Sequence, residues 1–473
     1  MPTRDRPGFT RREITAAAGA FALAGASSLP KAAALTPEHF GARGDGTTDD
    51  TRAFAALAAE VNRRGGGEVE LRRVTYLVGR QGADGPGGYA FTPAPILEFL
   101  RCKAPLVIRG NGARLRCAAG LRYGTFDRTT GRPTRHAMPY VQAGELATPY
   151  RAMIRVEDCT GPVEISDLEL DGNLRSLRIG GQYGDTGWQI PAVGIHLVNN
   201  KGPERLSRIH AHHHALDGIL IDGAQARNAA STLHQVRSEY NGRQACSVTG
   251  GSNYAFSDCK FGNSGKASLS SAPGAGVDIE AEAGKRIRNL SFARCTFSNN
   301  SGPGLVADSG DCAGAAFDNC TFVGTTNWAA WPNKPRFRFS ECSFVGAIVH
   351  AFGDADPDRA CQFHHCSFRD DPALSPNGLV YGGGNPSHPV ADLPHNENVL
   401  FDHCDFNLTH RLVLPWTTNV TIFADCTMNQ RAPAQSYPRG TFIGHNRIRG
   451  NVNLYSARIR GELILNGRTI EPR

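Results

Sequence analysis

The stretch Cys295-Thr-Phe-Ser-Asn-Asn-Ser-Gly-Pro-Gly-Leu-Val-Ala-Asp-Ser309 contains one complete unit of a repeat that runs through this chain. The unit begins with a Cys-x-Phe phrase, passes through an Asn-Ser-Gly-Pro turn, and ends in a segment with alternating apolar side chains. Spacings in the low twenties, lengthened where loops are inserted, predict a solenoid of stacked coils. The phrase starts at Cys259, Cys295, Cys320, Cys342, Cys366, Cys404 and Cys426, with Met in place of Phe in the last copy.

The cysteines of this phrase are expected to point into the solenoid. The chain has 13 cysteines, and an odd count argues against a complete disulfide framework. Buried cysteine behaves as a small apolar residue, so we predict a ladder of thiols beside a ladder of phenylalanines. Neither a CxxC motif nor a matching set of histidines accompanies them, which argues against metal binding by these thiols.

Five alternating segments precede or follow these phrases and predict strands with one face inward. Alternation places Ile195, Ile219 and Val277 inside, with the residues between them outside. Stacked in register, the outward residues form two columns. One column reads His196, Leu220, Ser247, Asp278 and Val306, and the other reads Val198, Asp222, Thr249, Glu280 and Asp308.

The N-terminal region resembles a known family. Phe40-Gly-Ala-Arg-Gly-Asp-Gly-Thr-Thr-Asp-Asp-Thr51 leads into an alanine-rich helical run at 52–62, then Gly65-Gly66-Gly67 and two short strand-like segments at 68–71 and 75–79. This block resembles the cap of the pectate lyase superfamily, of the pectate lyase 3 type. The resemblance implies an all-β chain, a single-stranded right-handed parallel β-helix over 35–473 with a short cap helix within 35–80. It also implies a lateral groove that holds a polysaccharide.

Residues 1–34 are expected to direct export. Thr10-Arg11-Arg12-Glu13-Ile14 resembles a twin-arginine motif, an apolar alanine-rich core follows, and Lys31-Ala-Ala-Ala34 offers a small-residue cleavage site. We therefore expect a bacterial protein that reaches the periplasm or the outside of the cell.

Composition excludes two classes of partner. The formal net charge is +7, yet no basic stripe with interleaved aromatic residues is present, so nucleic-acid binding is not expected. No run of 18 apolar residues lies in the body of the chain, so no membrane span is expected.

The carboxylates of the outward columns are the first candidates for chemistry. Asp278 and Glu280 lie two residues apart on one strand, about 6.6 Å between Cα atoms, and Glu280 and Asp308 should lie roughly 5 Å apart on adjacent coils. Asp222 should lie two coils from Glu280, roughly 10 Å away. Crowded carboxylates raise one pKa and so create an acid–base pair. The alternative is that the same oxygens hold a Ca²⁺ ion.

Other residues could support this cluster. Arg243 should share the face of Asp222 and Asp278, where it would hold a substrate carboxylate or act as a base, or else form a salt bridge to Glu280 or Asp222. In the run His210 to Asp217, His214 is a second candidate base, with His210, His212 and His214 on one face. The candidate substrate-binding residues are His196, Asp217 and Asp308, with Tyr183 and Trp188 in a loop that could stack against sugar rings.

These features predict a secreted enzyme that cleaves an acidic or neutral polysaccharide, including a polyuronate. We favour a lyase or a glycoside hydrolase over a uronate epimerase. The Gly-His-Gly and Arg-Ile-Lys motifs that we associate with polygalacturonases are absent. A non-catalytic glycan-binding protein and a structural β-helix remain alternatives. Long segments at 121–150, 173–191 and 372–398 interrupt the repeat and are expected to form groove walls.

Overall fold

The computed structural model describes residues 33–83, 90–127, 129–134, 146–181, 190–225, 229–282, 284–383 and 387–472. Residues 1–32 of the predicted export segment and the aromatic pair Tyr183 and Trp188 lie outside these ranges.

The chain winds into a right-handed parallel β-helix, as the sequence predicts. Its strands stack into three parallel sheets, and each coil contributes one strand to each sheet where the pattern is complete. We call the sheet that carries the predicted site the site sheet. Its strands are Leu97–Leu100, Ala152–Glu157, Val193–Val198, Ile219–Asp222, Cys246–Ser252, Val277–Ile279, Leu305–Ala307, Ala330–Pro332, Ile348–Val349, Ala391–Leu393 and Trp416–Thr417.

The other two sheets share three long strands that bend from one sheet into the next, namely Leu106–Cys117, Val163–Asp171 and Glu204–His212. The second sheet adds Gly67–Glu70, Ser231–His234, Tyr254–Ser257, Arg286–Ala293, Asp311–Asp318, Phe337–Ser340, Gln362–His364, Leu400–Asp402, Ile422–Ala424, Thr441–Ile443 and Arg458–Ile459. The third sheet adds Thr75–Val78, Arg237–Glu239, Lys260–Gly262, Thr296–Ser298, Thr321–Val323, Ser343–Val345, Ser367–Arg369, Asp405–Leu408, Thr427–Gln430, His445–Arg449 and Glu462–Leu465.

The interior contains the predicted thiol ladder. All 13 cysteines are free and buried. The residue two positions after each ladder cysteine, a phenylalanine except for Met428, is also buried, and neighbouring rings such as Phe297 and Phe322 stack 4.5 Å apart. Each coil buries much of its apolar surface against the coils above and below it, which explains why the repeat is needed for stability.

A second phenylalanine ladder runs beside the first. Phe292 and Phe317 stack 4.8 Å apart with their planes 6° from parallel, and this ladder continues through Phe339 at 4.7 Å. Its members precede the ladder cysteines by three residues, so the full phrase is Phe-x-x-Cys-x-Phe. They are Phe256, Phe292, Phe317, Phe339, Phe363, Phe401 and Phe423, followed by Phe442.

A left-handed residue turns the chain between the second and third sheets. The residue just before each ladder cysteine has a positive φ, for example 51° at Asn319 and 54° at Asp425. Asparagine and aspartate tolerate this conformation better than most residues. The repeated corner holds successive coils in register.

The N-terminal cap is built by two aspartates and a helix. Asp50 accepts hydrogen bonds from the backbone N–H groups of Arg43 and Gly44, and Asp45 accepts them from Thr47 and Thr48. The helix Thr51–Arg64 follows and packs on the first strand of the site sheet.

Asn62 in this helix holds the first strand of the site sheet in place by hydrogen bonds. It donates a hydrogen bond to the carbonyl of Glu98 and accepts one from the N–H of Leu100. The helix therefore covers an open sheet edge that could otherwise pair with another chain.

Several short elements accompany the three stacks of parallel strands. Arg122–Gly124 pairs in parallel with Arg178–Gly180, so the first two interruptions of the repeat contact each other. Gln81–Ala83 pairs with Ala90–Pro93, and Arg468–Ile470 pairs with the last strand of the third sheet, both antiparallel. Single turns of 3₁₀ helix occur at Pro37–Phe40, Leu174–Ser176 and Pro372–Leu374.

Candidate functional site

The first predicted outward column is present on the site sheet. The register pairs its members strand by strand from His196 to Val306. The column extends one strand further than predicted, because Val306 pairs with Trp331.

The second predicted column is broken at its centre. Asp222 pairs with Gly250 instead of Thr249, because the register shifts by one residue after Ile221. Glu280 and Asp308 lie just beyond the ends of their strands, Val277–Ile279 and Leu305–Ala307. Asp222 is therefore separated from the other carboxylates, and only three of the four predicted acidic residues lie together.

Those three carboxylates line one concave surface, which we call the acidic groove. It is formed by Asp278, Glu280 and Asp308 with Trp328 and Trp331, and it has a volume of about 450 Å³. Pro273 and Pro303, from the turns before the two strands, complete one rim. The groove therefore combines acidic groups with two indole rings against which the apolar face of a sugar can stack.

Asp278 is the most perturbed acid of the groove. Its side chain is 8% exposed, and burial raises the pKa of its carboxyl to about 8, although the guanidinium of Arg243 opposes the shift. The nearby acids Glu280, Asp217 and Asp308 raise that pKa further. Asp278 is therefore protonated at neutral pH and can donate a proton, as a general acid must.

Gln244 fixes the orientation of this acid. Its Nε2 donates a hydrogen bond of 2.7 Å to Oδ2 of Asp278, and its Oε1 accepts one from the backbone N–H of Ala275. The amide donor occupies Oδ2, so the carboxyl proton belongs on Oδ1. Sequence reasoning missed the role of Gln244, although its position beside Arg243 in a turn before a site strand was a usable signal.

Glu280 and Asp308 differ from Asp278 in exposure. Glu280 is half-buried and accepts a hydrogen bond from the hydroxyl of Ser309. Asp308 is exposed at the edge of the groove. Two carboxyl groups in contact with solvent thus lie beside the buried carboxyl of Asp278. Because their environments differ, Asp278 is suited to donate a proton, and Glu280 or Asp308 to accept one.

A second concavity, which we call the arginine pocket, lies on the preceding coils of the same sheet. Its volume is about 380 Å³, and its lining includes Arg151, Arg155, His196 and Asp222. Arg155 approaches Nδ1 of His196 to 3.1 Å and also contacts Glu157 at 2.9 Å. Burial and the charge of Arg155 lower the pKa of His196 to about 3, so this predicted substrate-binding residue is neutral.

Asp222 lies in the arginine pocket and has a cationic partner. Lys285 forms a salt bridge with its Oδ1, and both side chains are partly exposed. The lysine neutralises Asp222, so the prediction that Asp222 supports Asp278 and Glu280 directly is not met by this geometry.

Arg243 is paired with Asp217, not with Glu280 or Asp222 as the sequence suggested. Its Nε and Nη2 donate to the two carboxylate oxygens at 2.9 and 2.6 Å, and Ser247 donates to the same carboxylate at 2.9 Å. An arginine held in this way stays protonated, so it cannot act as a base. Asp217 is fully buried, which excludes the predicted contact with substrate.

His214 is also wrong as a candidate base. It is fully buried, its Nδ1 lies 2.8 Å from the hydroxyl of Tyr150, and burial lowers its pKa to about 3. The predicted alternation fails because His213 adopts a left-handed φ of 55° and turns the chain. His210 and His212 lie together on the outer side of the third sheet, and His214 points inward.

The predicted Ca²⁺ alternative gains no support from the grouping of side chains. In the described part of the chain, three groups of histidine and carboxylate atoms lie close enough to share an ion, and none includes Asp222, Asp278, Glu280 or Asp308. A protonated Asp278 is also a poor ligand for a hard cation.

Two tryptophans of the groove were not predicted. Trp328 packs against Tyr381 and His388, from the third long insertion, and Trp331 packs against His350. Extending the outward column by one more coil would have found Trp331. Trp328 reaches the groove from the turn before that strand, where no periodic pattern predicts the direction of a side chain.

Comparison with known proteins agrees with the architecture. Residues 154–368 match the family model described as "Right handed beta helix region". A search among curated proteins found no matching relative.

Several solved structures share the backbone winding. The A-module of a mannuronan C-5 epimerase from Azotobacter vinelandii is 16% identical, with a TM-score of 0.45 over 90% of this chain and 98% of that one. A tailspike of an Acinetobacter baumannii bacteriophage, titled a capsular polysaccharide depolymerase, is 12% identical, with a TM-score of 0.43 over 93% and 65%. A surface adhesin of Streptococcus pneumoniae is 11% identical, with a TM-score of 0.44 over 92% and 90%. Similarity at this level carries no information on substrate or reaction.

None of the described helices is long and apolar enough to cross a membrane.

Proposed function

We propose that this chain is a carbohydrate-active enzyme that hydrolyses glycosidic bonds of a polysaccharide bound in the acidic groove. The observation that carries the proposal is a buried, protonated Asp278 beside two carboxylates that meet solvent, in a groove walled by two indole rings. Asp278 gives its proton to the leaving oxygen, and Glu280 or Asp308 accepts one from water or stabilises the developing positive charge.

Hydrolysis explains the groove better than β-elimination does. An elimination needs a base that removes a proton from carbon, and Arg243, the predicted base, is paired with Asp217. Among the described residues that line the acidic groove there is no lysine or arginine. A pair of acidic side chains in different environments is the usual machinery of a glycosidase.

A lyase acting on a polyuronate is the second candidate, and the arginine pocket favours it. The Arg151 side chain is exposed in the lining of that pocket, so its guanidinium can pair with a sugar carboxylate. In that case the acidic groove holds the neighbouring sugar units, and Glu280 is the candidate for accepting the proton.

We further propose that the protein is exported to the periplasm or beyond in a folded state. The twin-arginine-like motif at Thr10-Arg11-Arg12 supports this, because that route carries folded chains. The free, buried state of all 13 cysteines agrees with folding in a reducing compartment before export.

A panel of neutral and acidic polysaccharides tests the proposed reaction. Incubation with the purified protein should release new reducing ends without the ultraviolet absorbance of an unsaturated sugar. Glu280→Gln and Asp278→Asn should each lower turnover by about 100-fold or more while leaving the fold intact by circular dichroism. Asp318→Asn, an exposed aspartate on the second sheet, is the matched control and should retain full activity.

Two results would decide against the proposal. Unsaturated products would establish the lyase instead. Release of reducing ends that survives in both Glu280→Gln and Asp278→Asn would place the chemistry outside the acidic groove.

A further inference from the structure

A second group of functional side chains lies on the outer side of the third sheet, away from the site sheet. In the strand register, Glu169 pairs with His210 and Asp171 pairs with His212. On the following strand Glu239 pairs with His212. Two histidines of one strand therefore stand between carboxylates on both neighbouring strands.

The side chains converge as well as the backbone positions. Nε2 of His212 lies 3.1 Å from Oε1 of Glu169, and the rings of His210 and His212 are 4.2 Å apart. Glu169, His210 and His212 each offer one ligand atom, and these atoms all lie within 4.8 Å of one another. The side chain of His212 is only 9% exposed.

We propose that Glu169, His210 and His212 bind a divalent transition-metal ion of the zinc class. Two imidazole nitrogens and one carboxylate oxygen are a donor set that such ions prefer, whereas Ca²⁺ prefers oxygen ligands only. The three ligands come from adjacent strands of two consecutive coils, so their spacing is held by the sheet itself. An ion bound there links the coil of Val163–Asp171 to that of Glu204–His212.

The second ring nitrogen of His212 has contacts of its own. Nδ1 of His212 lies 2.7 Å from Nδ1 of His213 and 3.7 Å from Oδ1 of Asp171. These contacts orient the ring, as partners of metal-ligating histidines commonly do.

Arg114 would compete with a bound ion for the carboxylate of Glu169. Its Nε lies 3.1 Å from Oε1 of Glu169, and its guanidinium also forms a salt bridge with Asp171. A bound cation must displace or share this contact, so the arginine weakens binding by charge repulsion. Removing it leaves two carboxylates beside the histidines and should strengthen cation binding.

Calorimetric titration with Zn²⁺ tests the site. The full chain, without a polyhistidine tag and dialysed against a chelator, should bind one ion per chain at this site and melt at a higher temperature with the ion present. His210→Asn and Glu169→Gln should each weaken binding roughly tenfold or more. Arg114→Gln should tighten it. Ca²⁺ should not compete.

The matched control is His403→Asn. His403 belongs to another histidine–carboxylate group, formed with Asp402 and Asp425, and its loss should leave the affinity for Zn²⁺ unchanged. Circular dichroism of each variant separates loss of a ligand from loss of fold. Absence of binding, or binding that His210→Asn and Glu169→Gln leave unchanged, would overturn the proposal.

Discussion

Asp278 shows how the surroundings of one residue set its chemistry. The sequence placed this aspartate on the outer side of the correct sheet, because alternation and register decide which side chains face outward. The crowding of carboxylates predicted that one of them has a raised pKa, but not which one. Burial is the main cause of the raised pKa of Asp278, and Gln244 and Arg243 come from a turn that follows no period.

The raised pKa of Asp278 predicts a pH-dependent stability difference. The pKa of Asp278 is 3.8 in the unfolded chain, its ordinary value, and about 8 in the folded chain. Between these two pH values the chain therefore takes up a proton when it folds. The stability due to this group therefore falls as pH rises from about 4 to about 8. Asp278→Asn removes the effect. The stability of the variant relative to the wild type should therefore rise by roughly 5 kcal/mol between the lower and the upper pH.

Urea unfolding at the two pH values measures this difference. Asp318→Asn is the control, because that exposed aspartate should show no such pH-dependent gain. Equal stability differences for Asp278→Asn at low and high pH would mean that Asp278 ionises normally.

Arg243 and His214 mark where residue-level prediction failed. The arginine pairs with buried Asp217, a residue that we had expected to bind substrate. The histidine lies one residue beyond a left-handed turn at His213, where period-two alternation no longer holds. Both errors come from irregular backbone between strands.

At the scale of elements, the coil is stabilised by two phenylalanine ladders and one thiol ladder. The Cys-x-Phe phrase revealed one ladder of each kind. The second phenylalanine ladder was present in the same repeat, three residues before each cysteine, and could have been predicted from the sequence. The Cys-x-Phe phrase begins at the cysteine and so does not include this position.

Phe339 provides a test of the ladders. Its ring stacks 4.7 Å from Phe317 and 4.9 Å from Phe363, with no exposed surface. Phe339→Ala should lower the free energy of unfolding by about 3–5 kcal/mol, because a buried aromatic ring leaves a cavity. Leu374→Ala, at a side chain that is 50% exposed, should change it by less than about 0.5 kcal/mol. Chemical unfolding followed by circular dichroism compares the two, and a similar small change for both would contradict a tightly packed interior.

The register of the site sheet was predictable in one column and not in the other. The column of His196 and Asp278 follows strict stacking over five strands. The column of Asp222 is displaced by an irregularity between Ile221 and Asp222. Bulges of this kind re-aim side chains next to functional sites, and no periodic rule predicts them from one sequence.

At the scale of the whole molecule, the β-helix places two concavities of opposite character along one sheet. The arginine pocket lies on earlier coils than the acidic groove, and the strand of Ser247 separates His196 and Leu220 from Asp278. An extended chain of sugars laid along the coils would meet both. The repeat made this architecture predictable, whereas the walls of the two concavities depend on insertions that have no internal pattern.

The thiol ladder predicts the chemical behaviour of the whole fold. All 13 cysteines are free and buried, so a thiol reagent should find almost none in the native protein and all of them after denaturation. Spectrophotometric thiol counting in buffer and in guanidinium chloride measures both. Rapid reaction of several thiols in the native protein would contradict a closed interior, and a deficit after denaturation would indicate disulfides.

The proposed reaction requires Asp278 to donate a proton to a glycan bound in the acidic groove. The pH dependence of kcat/KM on a cleaved polysaccharide tests it most directly. With the pKa of Asp278 raised to about 8, kcat/KM should hold through neutral pH and then fall about tenfold per pH unit above that value. Asp278→Asn should lose this activity at every pH. A fall of kcat/KM that begins well below pH 8, or that persists in Asp278→Asn with undiminished turnover, would show that Asp278 is not the general acid.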